Sequence, residues 1–600
     1  MYTFDKPDNL VEMFEESLGR NAERPLFGNA DNNGKYTWVT YREVGERVND
    51  LRAGLAQLGV SAGDAVGIIA NNRTEWAIAA FATFGLGGRF IPMYEKELPK
   101  IWKHIIRDSG LKVLFVANEK IYQEVEQMRD ELVDLEQMFH IDGSATGTMM
   151  ELEQQGRKIP IRSTIPKPTD TAVLIYTSGT TGDPKGVLLS HGNFTSNVLG
   201  GSKKYPELDH RSRSLSILPW AHSYGQTAEL YNFINMGGSI GFIRDVTTIV
   251  EDMRNVAPTF LIAVPRVFNK IYDGIRHKMN EKGGLALKLF NMGIESAKEL
   301  RAPAGQGKNV LLAKLKFAIA DRIVFQKIRE GFGGRLESAL TASAMMNLEV
   351  AQFFTDIGLP VYDAYGLSET SPAVTMNCRT ANKPGSVGRP LDKVRVVIDR
   401  QYFDEDENGS GEIVVYGPNV MQGYHNKPEA TKEVITEDGG FRTGDLGYLD
   451  NDGYLFITGR IKEQYKLENG KYVFPATLEE EIQLSPWVEN VFIYGEGRSH
   501  NICIIVPDFI KLSAWAVQQG IDASTHAELI ASPEVEAMIK ESIATQLKGK
   551  FGGYEIPRQF ILVDEPFSVD NGMLTHTMKL KRRKVLDRYQ DQVNMAYGAP

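Results

Sequence analysis

Cysteine is nearly absent: the 600-residue chain has two, Cys378 and Cys503. Two distant thiols supply neither a disulfide framework nor a thiolate metal cluster, so a reducing compartment is expected. No repeat period or low-complexity tract is present, which argues against a solenoid or a disordered chain. Long apolar runs are missing too. The most apolar window, Ala77 to Gly88, stops at Arg89 after about a dozen residues, whereas a membrane span needs about twenty; a buried helix is expected there. The opening MYTFDKPDNL lacks the basic start and apolar centre of a signal peptide. A soluble, cytoplasmic chain is therefore expected, with peripheral membrane contact left open. The net charge of −10 disfavours nucleic acid as a partner. One basic run, Lys579-Leu-Lys-Arg-Arg-Lys584, reads as a solvated helix start rather than a lipid-headgroup or import patch.

What is present is an ordinary globular composition, 42% apolar and 24% charged. At roughly 150 residues per domain the length suggests about four structural units. Short apolar runs, Val173–Tyr176, Leu215–Leu218, Phe260–Val264 and Val361–Ala364, alternate with helical patterns such as Thr248–Val256 and Leu348–Ile357. That order predicts an α/β fold of parallel sheets covered by helices, with ligands at the C-terminal strand ends. After about residue 390 turns become dense. Glu405–Gly411 reads as a turn, Glu412–Tyr416 as a strand and Asp450–Gly453 as a hairpin turn, together a β-rich subdomain. A second change at Thr458-Gly-Arg460 opens a small α+β segment. Residues 270–335 are nearly all helical and rich in lysine.

The most informative string is Tyr176-Thr-Ser-Gly-Thr-Thr-Gly-Asp-Pro-Lys-Gly186, directly after a strand. Its glycines let backbone N–H groups close on an anion, its hydroxyls donate further bonds, and Lys185 adds a point charge. The combination suits a polyphosphate. It is not the GxxxxGK[ST] loop, because Lys185 is followed by Gly186. Three or four of these residues alone would be an ordinary surface turn. The whole string resembles the phosphate loop of the adenylate-forming superfamily, which includes acyl-CoA synthetases, aryl-CoA ligases, beetle luciferases and peptide-synthetase adenylation domains.

The superfamily's other motifs follow in order. Tyr365-Gly-Leu-Ser-Glu-Thr370 is similar to its aromatic-Gly-x-Thr-Glu motif, which implies that Tyr365 and Gly366 meet adenine, Ser368 the α-phosphate and Glu369 a Mg²⁺ ion. A carboxylate beside triphosphate oxygens is what a hard cation needs. The same resemblance places Asp363 at the nucleotide and Thr180 with Glu369 at the metal, and makes Thr177, Ser178, Gly179, Thr180, Thr181, Gly182 and Lys185 the phosphate contacts. Arg442-Thr-Gly-Asp-Leu-Gly447 resembles the motif whose aspartate accepts both ribose hydroxyls, here Asp445, since a carboxylate offers two acceptors to a vicinal diol. Arg460 matches the second ribose contact and Lys462 the hinge. Asn571 to Lys581 resembles the lysine motif of long-chain synthetases, with the adenylation lysine at Lys579. Leu218-Pro-Trp-Ala-His-Ser-Tyr224 resembles the acyl-site motif, with His222 beside the acyl carboxylate and Trp220 lining or gating the tunnel. Gly470 is implied beside the CoA tunnel. Ser190-His191 pairs a hydroxyl with a base type but has no evident acid partner, so hydrolase chemistry is not expected.

The resemblance implies an N-terminal domain, 1–459, for ATP and the acyl group, and a mobile C-terminal domain, 460–600. It implies an ATP-, Mg²⁺- and CoA-dependent ligase that forms an acyl-AMP, releases pyrophosphate and passes the acyl group to CoA. The helical stretch between Val264-Pro-Arg and Gly333-Gly-Arg-Leu336 favours a medium- to long-chain fatty acid. Long-chain relatives usually read Ser-Gly-Gly-Ala-Pro where this chain has Thr341-Ala-Ser-Ala-Met345. The alternatives are an adenylating enzyme that loads a carrier protein or forms an amide, and a non-catalytic relative that binds nucleotide or acyl-AMP. A carrier would have to be a separate protein, since the chain ends at Pro600.

Overall fold

The computed structural model describes residues 5–143, 147–177, 183–301, 310–401, 409–575 and 579–598. It divides into two compact units: Met1–Val397 with Val414–Thr443 and Leu449–Phe456, and Ile398–Ile413 with Gly444–Tyr448 and Ile457–Pro600.

The largest sheet has seven strands in the order Gly423–Tyr424, Lys185–Ser190, Thr171–Thr177, Arg89–Met93, Ala65–Ile69, Leu111–Val116, Gln137–His140. Its centre is parallel. Every residue of Ala65–Ile69 is buried, as an apolar run covered on both faces requires. The edge carrying Lys185–Ser190 and Gly423–Tyr424 is antiparallel, so the sheet is mixed rather than purely parallel. The same is true of the five-stranded sheet. Phe260–Ala263, Ser338–Thr341 and Val361–Gly366 run parallel, and Ala373–Met376 then returns antiparallel. The apolar window seen in the sequence falls largely in the helix Thr74–Phe84, where every residue but Glu75 is buried.

Helix starts follow local chemistry. Thr40 and Glu43 form a reciprocal capping box at the head of Tyr41–Gln57, satisfying two donors the helix cannot pair itself. Ser190 caps His191–Lys204 in the same way with Asn193. In the stretch 270–335, where a helical pattern was expected, the described residues are largely helical: Pro265–Lys282, Gly284–Arg301 and Val310–Ala320, the last continuing to Glu330. Phe441–Leu449 and Leu455–Arg460 sit side by side in a four-stranded sheet with Arg395–Asp399 and Gly411–Tyr416. The turn between the first two is closed by Gly453 N–H donating to the Asp450 carbonyl at 3.0 Å. The expected turn at Glu405–Gly411 falls largely outside the described residues.

The core of the first unit contains Trp76, Phe84, Phe90 and Trp220, all without exposure. The second unit has its own core around Val473, Leu478, Ile504, Ile539 and Val593. Its sheet orders Val488–Tyr494, Ile502–Pro507 and Gln559–Leu562. Thus two units form where length alone suggested about four, because several sheets share one continuous core. No helix among the described residues is long and apolar enough to cross a membrane.

Candidate active site

Thr177 and Lys185 face each other across an antiparallel hairpin. The phosphate string therefore connects two strands, unlike a loop that runs into a helix. Ser178, Gly179, Thr180, Thr181 and Gly182 lie outside the described residues, so the hairpin stem is what the structure describes. Lys185 Nζ sits over the Tyr424 ring, 5.0 Å from its centroid. The Tyr424 hydroxyl donates to Glu369 Oε1 at 2.9 Å. Burial and the Glu369 carboxylate both push that phenol's pKa upward, so it remains a donor at neutral pH. One aromatic residue thus links the lysine of the first motif to the carboxylate of the second.

Glu369 stands in the turn Ser368–Thr370, directly after Val361–Gly366. Asn197 and Asn419 fix that turn from outside. Each donates through Nδ2 to the carbonyls of Thr370 and Ala373, at 3.3 and 2.8 Å for Asn197 and 3.2 and 3.0 Å for Asn419. Gly366 is needed because a Cβ there would lie 1.9 Å from the Pro372 carbonyl oxygen. Ser368 is buried and accepts from Ser223 Oγ at 3.4 Å.

Asp363 precedes this motif on the same strand. Its Oδ1 is buried without a hydrogen-bond partner among the described residues. Burial pushes its carboxyl up to about 8, against a backbone hydrogen bond from Met346 that lowers it. A buried acceptor in this state suits a ligand donor such as an exocyclic amine.

A cavity opens beside Tyr365 and Gly366 and takes His222 into its wall. Tyr205, Phe233, Met236, Phe260, Leu340 and Met376 supply much of the rest, and no described lining residue is Asp, Glu, Lys or Arg. Such a wall suits a long apolar ligand with one polar end. His222 Nδ1 accepts from the Tyr224 backbone N–H at 3.1 Å, which leaves the proton of the neutral ring on Nε2. Ala342 and Ser343, from the divergent loop, also line the cavity. Ser343 has φ +79°, the left-handed region where glycine is favoured.

Trp220 corrects the sequence expectation. It is fully buried and does not line the cavity. Its ring packs against Trp76, Phe27 and Phe242, and its Nε1 donates to Glu229 at 3.0 Å. Burial raises the Glu229 pKa, while bonds from Ser214, Ser216 and Trp220 lower it. Asn72 completes the mount by accepting from Trp220 N–H at 2.7 Å and donating to the Leu218 carbonyl at 2.6 Å. Trp220 therefore anchors the segment that carries His222.

The second unit holds the remaining predicted residues. Asp445 is buried and accepts from Arg460 Nε at 2.5 Å. Ile461 N–H donates to the Gly444 carbonyl at 2.9 Å, and exposed Lys462 lies in the turn that follows. Gly470, at φ +81°, makes the tight turn between Tyr465–Lys466 and Tyr472–Val473. Lys579 is exposed beside buried Met573 and Leu574. Its backbone N–H donates to Thr575 Oγ1 at 3.0 Å and its carbonyl accepts from Thr575 N–H at 2.8 Å. Lys581, by contrast, is half-buried at the head of helix Arg582–Arg588. Ser190 is spent on its helix cap, and His191 Nδ1 accepts from Leu10 N–H at 3.3 Å. Complete burial pulls the His191 pKa down to about 3, so the pair is structural.

No group of three or more His, Cys, Asp or Glu among the described residues forms a metal cage. Mg²⁺ commonly takes one or two carboxylates and fills its shell with substrate phosphates and water, so a site for it need not be such a cage. Glu369, with one oxygen held by Tyr424, fits that role. Tyr424, Asn197 and Asn419 were not found from sequence, since their partners lie far away in the chain; Glu229, whose partners Ser214, Ser216 and Trp220 are near in sequence, was missed because no short motif marks it.

The hairpin stem, the Glu369 turn and the adjoining apolar cavity define an adenylate-forming architecture, and the chain belongs to a family with that character. The family described as "AMP-binding enzyme" matches residues 14–425, and "AMP-binding enzyme C-terminal domain" matches 462–599. Among its relatives is "Long-chain-fatty-acid--CoA ligase FadD15" of Mycobacterium bovis, 30% identical over 612 residues, covering 100% of this chain and 98% of that protein. Another is "Long chain acyl-CoA synthetase 6, peroxisomal" of Arabidopsis thaliana, 32% identical over 94% of this chain and 82% of that one. The fold is shared with the A-PCP didomain of a carboxylic acid reductase from Segniliparus rugosus, at TM-score 0.78 and 22% identity, over 99% of this chain and 84% of that one.

Proposed function

We propose that this protein is an AMP-forming acyl-CoA ligase that activates medium- to long-chain fatty acids and transfers them to CoA. The observation that carries this reading is the apolar cavity, with no charged Asp, Glu, Lys or Arg among its described lining residues, set against Tyr365, Gly366 and His222. An alkyl chain gains by leaving water for such a wall, and its carboxylate is then left at the polar end. The full-length resemblance to proteins named as long-chain acyl-CoA ligases supports the same reading.

In the first step the substrate carboxylate oxygen attacks the α-phosphorus of ATP. The new P–O bond forms as the bond to the β-phosphate oxygen breaks, and pyrophosphate leaves. The chain's own contribution is placement and charge neutralisation. Lys185 and the loop from Thr177 would hold phosphate oxygens. Glu369 would hold Mg²⁺, which supplies neutralisation of the triphosphate charge when bound. Asp363 and Tyr365 would bind adenine, and Asp445 with Arg460 the ribose. Lys579 would meet charge developing at the α-phosphate and carboxylate. In the second step a thiolate attacks the acyl carbonyl carbon and AMP departs. We assign residues 460–600 as the mobile domain, Lys462 as its pivot and Gly470 to the CoA path, so one small site serves two steps in turn. The two buried, free cysteines favour a cytoplasmic, reducing setting.

The test is acid-dependent ATP–pyrophosphate exchange across acids of increasing chain length, followed by thioester formation with CoA or with an isolated carrier protein. Exchange and acyl-CoA formation with medium to long acids support the reading. Carrier loading without acyl-CoA, or no exchange with any acid, would overturn it.

A further inference from the structure

Helix Val310–Ala320 is inverted relative to an ordinary surface helix, because its outward side is its apolar side. Leu311 is 80% exposed and Leu315 59%, with Leu312, Ile319 and Ile323 also exposed. Leu311, Leu315, Ile319 and Ile323 recur every fourth residue, the spacing that places side chains along one helix face. The inner side is satisfied by small residues. Ala313 and Ala320 are buried, and a Cβ on Gly293 of the neighbouring helix Gly284–Arg301 would lie 2.7 Å from Ala320 Cβ and 2.5 Å from Phe325 Cζ. That close approach fixes which side of Val310–Ala320 faces out. The apolar stripe is thus not a packing surface rotated away from its partner.

Charge decides between occupants. From Pro265 to Glu330 the chain has fourteen Lys and Arg against six Asp and Glu, although the whole chain carries −10. Within Val310–Ala320 itself Lys314 and Lys316 are exposed and no acid is present. Protein interfaces enrich aromatic residues, Met and Arg and deplete Lys. A stripe of Leu and Ile flanked by Lys is instead the pattern of a helix lying in the headgroup region of an anionic bilayer. Exposed contiguous apolar surface of this kind marks an interaction site rather than ordinary surface.

We infer that helix Val310–Ala320, with Ile323 beyond its end, docks the first unit onto an anionic phospholipid surface, inserting Leu311, Leu315 and Ile319 while Lys314 and Lys316 meet the headgroups. A long-chain acid partitions into the same phase, so docking would place the protein where its proposed substrate is concentrated. The docking itself needs no ligase activity and stands or falls separately.

The experiment is co-sedimentation of the full chain with vesicles of phosphatidylcholine alone and of phosphatidylcholine with phosphatidylglycerol. The wild type is expected to bind the anionic vesicles and to be released as salt is raised, since surface charge attraction is screened. The triple variant Leu311→Asp, Leu315→Asp, Ile319→Asp should bind at least about tenfold more weakly, because insertion scales with buried apolar area. The double variant Lys314→Glu, Lys316→Glu should bind more weakly and lose most of its salt dependence. Near-UV circular dichroism and the thermal midpoint check that both variants fold. The lysine pair, whose side chains are exposed, keeps the test decisive if the triple variant is unstable. Absence of wild-type binding, equal binding by folded variants, or a wild-type dimer that the triple variant converts to monomer would overturn the inference, the last by assigning the stripe to a second copy.

Discussion

The Tyr424 hydroxyl holds Glu369 Oε1 at 2.9 Å while its ring carries Lys185 Nζ at 5.0 Å. Tyr424 is 55 residues from Glu369 in sequence, yet it joins the two motifs that the proposed function assigns to the triphosphate. The ring and the hydroxyl do separable jobs. The hydroxyl removes rotational freedom from a carboxylate that would bind a cation; the ring steadies a lysine that would bind phosphate.

Tyr424→Phe therefore tests the hydroxyl alone. A hydrogen bond to a charged group contributes about 1.5–3 kcal/mol, so the KM for Mg·ATP in pyrophosphate exchange should rise about tenfold or more. The KM for the acid should change little. Tyr424→Leu should cost more, because it also removes the ring under Lys185. Equal behaviour of the two variants would show that the hydroxyl has no positioning role.

Lys579→Ala should separate the two half-reactions. Removing one preorganised charge from a developing transition state costs about 10²–10³ in rate, so exchange should nearly vanish. Thioester formation from supplied acyl-AMP and CoA should persist. Lys581→Ala should leave exchange close to wild type, because that residue sits half-buried at a helix start. Equal loss of both half-reactions in Lys579→Ala would refute the division of labour.

Sequence periodicity located the strands around the site to within one or two residues. The run Val173–Tyr176 is part of Thr171–Thr177, and Val361–Ala364 part of Val361–Gly366. Buried strands read as continuous apolar runs, so their positions are legible. Side-chain direction is less so. Trp220 and His222 share one short loop, yet only His222 reaches the cavity while the indole turns into the aromatic core. The pairing of Gly423–Tyr424 with Lys185–Ser190 and the roles of Tyr424, Asn197 and Asn419 were illegible because contacts between segments distant in the chain leave no local pattern.

Ser343 offers a test of the divergent loop. A non-glycine residue in the left-handed region pays roughly 1–2 kcal/mol, and glycine gives back roughly 0.5–1 kcal/mol in unfolded-state entropy. Ser343→Gly should therefore stabilise the first unit by about 0.5–1 kcal/mol, the difference between those two terms, read as a higher urea midpoint. Because Ser343 lines the cavity, the profile of exchange against acid chain length should shift in the same variant. An unchanged midpoint would mean the loop relaxes without strain.

Asp363 gives a pH dependence whose sign is fixed. Its folded-state pKa is raised to about 8 by burial, against about 3.9 for an unfolded aspartate. The folded chain thus holds the proton more tightly, and its contribution to stability falls as pH rises from about 4 towards 8. Asp363→Asn cannot ionise, so the slope of stability against pH in that window should flatten. A buried unsatisfied group costs about 1–3 kcal/mol, which bounds the gain at the upper end of the window. A nucleotide amine that donates to the carboxylate favours its ionised form, so AMP binding near pH 7 should release a proton from the wild type. Calorimetry in buffers of different ionisation enthalpy would read that proton, and Asp363→Asn should abolish it. Proton release unchanged in the variant would place the adenine away from Asp363.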